Sequence, residues 1–524
     1  MIDGSGLAPR RRYAALLAAL AAASFLLYAA GVLALRQDRL PGWALEADGP
    51  IPAAVSHLLY GTHFGAVDLN VEAKFMRRGG LSVQDVLALA ASKSIPPGSD
   101  NNTTIDGTGA GTDVFAIVAM AMFGPQLLSL VLLYLLTVGV AAAAFVVRYR
   151  DRRLLVVPLY FLVVTVMLLT PFVTSALAVN QSPIGGQRYF VLAAFLPALH
   201  IFFELIDRSP AGAGKRDLAK ALPLFIQALL LLMALLVRSS TGYLVAIIVA
   251  ALAWRLRGTR AEPAQRRALW RKISILAAAC AIFAVAVVVA LPPYVQKGRL
   301  FGTVWHRAFS TLSVSPQWPF GDLAKVYDCS KYFPYALGQG STDAQGQCVW
   351  WAYPPNAERP FFDVARGTYD GEYETVLRRA YFYVLFHYPR QVFETYAFVK
   401  SRLIANVVTE AWQALFELAA APVAPALFAI AAAQLLVFAA FAGLLAVAER
   451  SVIDWRMAVF PVALLLSFLP LYVAMATAPT SLDMVFLMYA CLVLAVLLGC
   501  QLLARLVTAR PPQPSAGPVQ PADG

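Results

Sequence analysis

The feature that most limits what this chain can become is its series of long, unbroken apolar runs. Residues 125–147 carry no charged side chain, and neither do residues 13–35. Such runs cross a hydrocarbon core about 30 Å thick as helices, because a helix satisfies its backbone polar groups internally. Apolar residues fill 60% of the 524 positions and charged residues 14%, a balance that belongs to a membrane protein.

Ten spans are predicted: 13–35, 125–147, 154–177, 189–205, 221–237, 243–254, 273–291, 423–447, 457–475 and 484–503. With the N-terminus (1–12) inside, the inner segments hold twenty-two Lys and Arg residues, whereas the short outer turns hold Arg188 and Arg238. This is the asymmetry of the positive-inside rule. The net charge of +12 is therefore topological, and nucleic acid is not an expected partner. Residues 221–254 admit one long helix or a hairpin turning near Arg238. Both flanking loops are basic, and only the hairpin returns both to the inner side. Residues 13–35 are read as a retained first helix rather than a cleaved signal.

Two long polar regions fall outside. The first, 36–112, sits within the transmembrane module 13–291, and the second, 292–422, forms a separate outer (periplasmic) domain before the C-terminal helices 423–503. The tail 504–524, rich in Pro, Ala and Gln, is expected to be a disordered cytoplasmic segment. Cys329 and Cys348 lie in the second region, where an oxidising compartment permits a disulfide; two reduced thiols in a packed aromatic loop are the alternative. Closing that loop would contribute on the order of 3 kcal/mol.

No phosphate-cradling glycine loop, zinc-type cysteine pair or His-Glu-x-x-His is present, and the five histidines are scattered. The first outer region holds residues 67–80, read as a short amphipathic helix ended by glycine, with Asp68 and Glu72 four apart on one face. Residues 113–124 are apolar but too short to span, and are expected along the interface.

The order of these features resembles the GT-C superfamily of membrane glycosyltransferases. Asp68, Ala73 and Gly79 match an Asp-containing outer helix, and Phe123 with Gly124 precedes the second span as a Phe-Gly pair does there. Residues 291–299 resemble the stretch that opens the superfamily's later outer domain, and residues 379–390 its apolar helix, proline break and second helix. The resemblance covers roughly residues 13–406 in topology. It implies an all-α polytopic protein of the bacterial inner membrane with about ten helices and both termini cytoplasmic. It also implies transfer of a sugar from a polyprenyl-phosphate carrier to a glycan or lipid acceptor. Asp68 is followed by Leu69 and Asn70 rather than the superfamily's acidic pair, so no cofactor is expected and a divalent metal is not indicated.

Glycosyl transfer needs a carboxylate beside the acceptor hydroxyl and cations for the departing phosphate. Asp68 is the expected base, with Glu72 orienting or replacing it; the alternative is that Asp68 caps its helix and Glu72 pairs with a basic neighbour. Arg77, Arg188, Arg238, Lys297, Arg299 and His306 are the candidate phosphate ligands, against an alternative role as headgroup anchors. Trp305 and Trp350 are among the aromatics of the second region, suited either to sugar contact or to a small core. Two other functions stay open: a lipid-linked glycan ligase or polymerase, and a non-enzymatic transporter or envelope assembly protein.

Overall fold

The computed structural model describes residues 50–60, 66–68, 88, 103–105, 110–124, 127–149, 190–207, 216–237, 242–258, 262–291, 304–312, 346, 349–350, 362–363, 368–369, 372–402, 499 and 502. The spans expected at 13–35, 154–177, 423–447 and 457–475, nearly all of 484–503, and the tail 504–524 lie outside them.

In chain order the described elements begin with α1 (Pro50–Tyr60), β1 (Ala66–Asp68), β2 (Thr103–Ile105), α2 (Ala110–Phe123) and α3 (Leu127–Tyr149). They continue with α4 (Phe190–Ile206), α5 (Arg216–Val237), α6 (Gly242–Gly258) and α7 (Pro263–Ala290). The segment expected as the second outer region adds α8 (Val304–Leu312), β3 (Phe362–Asp363), β4 (Thr368–Tyr369), α9 (Tyr373–His387) and α10 (Pro389–Glu394), the last running into a π turn, Thr395–Val399. Helix dominates, as the sequence implies. The exceptions are two antiparallel ladders of two or three residues, β1 with β2 and β3 with β4.

Two helices, α3 over Leu132–Tyr149 and α7 over Pro263–Ala290, are long and apolar enough to cross a membrane. They differ in what surrounds them. About half of the α3 stretch is buried in the bundle, while α7 buries only Leu269 and Ala279 and exposes Ile282, Val285, Val288 and Val289. At 28 residues, α7 is about 42 Å long, and it starts ten residues before the span expected at 273–291. Hydropathy marks where the apolar stretch begins, whereas the helix itself begins at Pro263, which occupies a first-turn position that needs no N–H partner.

Helix α4 is the centre of the bundle. Ala194, Leu196, Ala198, Leu199, Ile201, Phe202 and Leu205 are all buried, so it has no outward face. It packs against α3, α5, α6 and α7. Helix α5 buries Leu224, Gln227, Ala228, Leu231 and Ala234, the three-and-four spacing of a one-faced helix. The chain reverses between α5 and α6, as the following contacts require. Gln227 of α5 meets His200, and Arg255 of α6 donates to the carbonyl of Leu205, five residues further along the same helix α4. A straight helix would separate residues 227 and 255 by about 42 Å, but their partners on α4 are about 7.5 Å apart along its axis. Only a hairpin reconciles the two.

The sequence expectation of a helix over 67–80 is corrected where that stretch is described. Val67 and Asp68 are not helical: they lie in β1, where Asp68 pairs with Thr103 and Ala66 with Ile105. Helix α2, over the short apolar stretch expected at 113–124, packs against other helices. It buries Phe115, Ala116, Ala119 and Met120 while packing against α1, α3 and α5, and exposes Val118 and Met122. It ends at Gly124, whose φ of 90° and N–H bond to the Met120 carbonyl (2.9 Å) make a left-handed cap that glycine adopts without steric cost.

Within residues 292–422, α8 lies on α9. Their core joins Phe309, Leu312, Val349, Trp350, Tyr373, Val376, Leu377, Ala380, Val384 and Val392. Trp350 is fully buried and edge-on to Tyr373, which makes it a core residue; burying such a ring contributes about 1.5 to 3 kcal/mol. Glu374 of α9 accepts the backbone N–H of Trp305 at 2.7 Å, satisfying one of the orphan donors at the start of α8. Tyr388 interrupts the helical chain before Pro389 opens α10, the helix, proline break and second helix read from the sequence.

Candidate functional site

Of the residues expected to act, Glu72, Arg77, Arg188, Arg238, Lys297, Arg299, Cys329 and Cys348 lie outside the described residues. Asp68 is described by its backbone in β1 and His306 by its position in α8. What the described residues bring together falls into three places: the α2–α5 contact, a charged cluster at the far end of the bundle, and a lysine-tyrosine group beside α9.

The first place ties the Asp68 strand to the bundle. Strand β2 precedes α2 by a few residues, and α2 begins directly against the end of α5. Thr112 donates its hydroxyl to the Val237 carbonyl at 3.5 Å, and Asp113 is buried in the same first turn. An acidic side chain there is favoured by the positive end of the helix dipole. Gly111 lies so close to Leu236 that a Cβ would overlap the backbone carbonyl. Gly111→Ala is therefore expected to pry α2 from α5 at a cost of about 1 to 3 kcal/mol; a thermal denaturation midpoint equal to that of the parent would contradict this.

Helices α4 and α5 pack side by side and are joined by a short link, so they run antiparallel. The opposite end of the bundle from Gly111 holds the charged cluster. Glu204, only 3% exposed, forms ion pairs with Arg148 of α3 and with Lys272 of α7, the latter at 3.4 Å. Lys272 also donates to the Glu204 backbone carbonyl, and Arg255 Nε donates to that of Leu205 at 3.0 Å. Two cations thus satisfy the last carbonyls of α4, at the negative end of its dipole. Asp207 completes the cluster, beside a shallow recess lined by Arg255, Gln265, Leu269 and Lys272. One turn deeper, Gln227 donates to the Ala141 carbonyl at 2.6 Å and meets His200 Nδ1 at 3.2 Å. The signal in the sequence was Glu204 itself, an acidic residue inside an apolar run.

The third place depends on the π turn. The N–H of Lys400 closes onto the Thr395 carbonyl, five residues back. This extra residue per turn rotates the helix that follows by about 100° relative to an α-helix. Thr395 and Lys400 consequently face inward together, and Lys400 is 3% exposed. Its Nζ lies 5.1 Å from the centre of the Tyr396 ring. The Tyr396 hydroxyl is 3.4 Å from those of Thr311 and Tyr381. Thr311 donates to the Ala308 carbonyl at 2.7 Å, leaving its oxygen to accept from Tyr396. Burial pushes the Lys400 ammonium down to about 7 and the Tyr396 phenol up. No periodicity in the sequence marks a π turn, so Lys400 was not legible there.

A lysine whose folded pKa lies below its ordinary 10.5 binds fewer protons than the unfolded chain between about pH 7 and 10.5. Its penalty is complete below pH 7 and fades as pH rises through that window. Lys400→Met is expected to stabilise α8–α10 by on the order of 2 kcal/mol at pH 7 and to flatten the rise in stability that the parent shows between pH 7 and 10.5. Hydrogen exchange of residues 373–402 at two pH values reads both effects.

The described structure defines a helical protein with two helices long and apolar enough to cross a membrane. No known family model, curated protein or solved structure matches the chain.

Proposed function

We propose that the chain is a glycosyltransferase of the bacterial inner membrane that moves a sugar from a polyprenyl-phosphate carrier to an envelope glycan or lipid acceptor on the outer face. Asp68 takes the proton of the acceptor hydroxyl as its oxygen attacks the anomeric carbon. The bond from that carbon to the phosphate oxygen breaks, and polyprenyl phosphate leaves with its charge held by cations drawn from Arg77, Arg188, Arg238, Lys297, Arg299 and His306. The step as written uses no metal.

The observation that carries this reading is the tether between the Asp68 strand and the bundle. Asp68 pairs with Thr103, β2 leads into α2, and the first turn of α2 rests on Val237, the residue before Arg238. A candidate base and a candidate phosphate ligand thus adjoin one connected piece of backbone.

The test is turnover. Purified chain in liposomes is expected to release polyprenyl phosphate from a polyprenyl-phosphate sugar, in an acceptor-dependent way. The buried Glu204 cluster is the observation that favours the transporter alternative, since ionisable groups inside a bundle commonly serve transport. Solute movement across those vesicles with no consumption of the lipid-linked sugar would replace the enzyme reading by that one.

A further inference from the structure

We propose that the face of α9 and α10 turned away from their own core is a docking surface for the phospholipid headgroup layer. Tyr373, Val376, Leu377, Ala380 and Val384 define the inner side of α9. At 100° per residue, Arg378, Arg379, Phe382 and Phe386 fall on the opposite side, and all four are exposed. Phe382 rests on Trp305 at 5.4 Å and stacks with Phe386 at 6.1 Å and 19°, leaving Phe386 74% exposed.

Beyond the Tyr388 break the pattern repeats. Phe393 and Phe398, both exposed, meet edge-on at 6.2 Å. Residues five apart diverge on an α-helix and converge on a π turn, so the turn that buries Lys400 also assembles this second pair. Arg390 and Arg402 are exposed nearby, and Arg390 holds Glu394 of its own helix at 2.9 Å.

Four exposed phenylalanines that take no part in the core are costly against water, at roughly 25 cal/mol per Å², and mark an interaction surface. The occupant is chosen by what surrounds the rings. Guanidinium groups among aromatic rings suit the headgroup level of a bilayer, with phosphate taken by Arg and the rings set at the acyl boundary. In the sequence, residue 402 also precedes by about twenty residues the span predicted at 423–447. This surface is independent of the glycosyl-transfer reading.

The experiment uses the full chain reconstituted in phosphatidylethanolamine–phosphatidylglycerol bilayers. A photoreactive benzoylphenylalanine replaces Phe386 in one preparation, Phe393 in a second and exposed Glu372 in a third. Irradiation and mass spectrometry of the peptides are expected to show phospholipid adducts at the first two positions, several-fold above the third. Cross-links to another segment of this chain or to a second copy at both phenylalanine positions would overturn the proposal. So would the absence of adducts at both, or equal yield at Glu372.

Discussion

Glu204→Ala is expected to destabilise the bundle by about 3 to 5 kcal/mol, the cost of removing one partner from a buried ion pair. The carboxylate stands between two cations, Arg148 and Lys272, that enter from different helices. Without it those cations face each other in a site from which water is largely excluded. Lys272 keeps its bond to the residue-204 carbonyl, so it remains drawn to the end of α4 and is not free to relax outward. The loss falls on the junction of α3, α4 and α7, and should appear as early loss of helix signal during denaturation in detergent micelles. Adding Arg148→Gln to the variant removes one uncompensated charge. The double variant is therefore expected to be more stable than the sum of the two single losses, as coupled neighbours are. A single-variant loss below about 1 kcal/mol would mean the pair is solvated like a surface bridge.

Asp68→Asn is expected to lower turnover by about 10²- to 10⁴-fold, the usual contribution of a general base, with a smaller change in KM. Asparagine has nearly the same shape but cannot accept the acceptor's proton at neutral pH. The β1–β2 ladder is made by backbone groups, so the substitution leaves the pairing with Thr103 intact. An equal loss in kcat and kcat/KM would identify an interaction made only in the transition state. Unchanged turnover would remove Asp68 from the mechanism while leaving the broader enzyme proposal standing, because the phosphate-binding cations act separately.

Among the described residues, helix positions were legible in the sequence, and the limits of that reading have physical causes. The spans expected at 125–147 and 189–205 correspond to Leu127–Tyr149 and Phe190–Ile206 because both runs are bounded by polar residues close to the helix ends. For α7 the two diverge, since Arg266, Arg267 and Arg271 stay helical while leaving the apolar stretch. Asp68 was misread for another reason. Its local spacing with Glu72 suits a helix, but the backbone pairs with Thr103, a partner that local periodicity does not reveal. Glu204 was visible as a residue, although its cations come from distant parts of the chain. Of the expected site, only Asp68 and His306 lie within the described residues.

The close approach of Gly111 to Leu236 also bears on how movement passes through the bundle. Side chains normally cushion one helix against another and let them slide. Here the start of α2 meets the last turn of α5 through bare backbone, with Thr112 latched to the next carbonyl. The two helices therefore behave as a single strut. A tilt of α5 is therefore expected to carry the first turn of α2 with it.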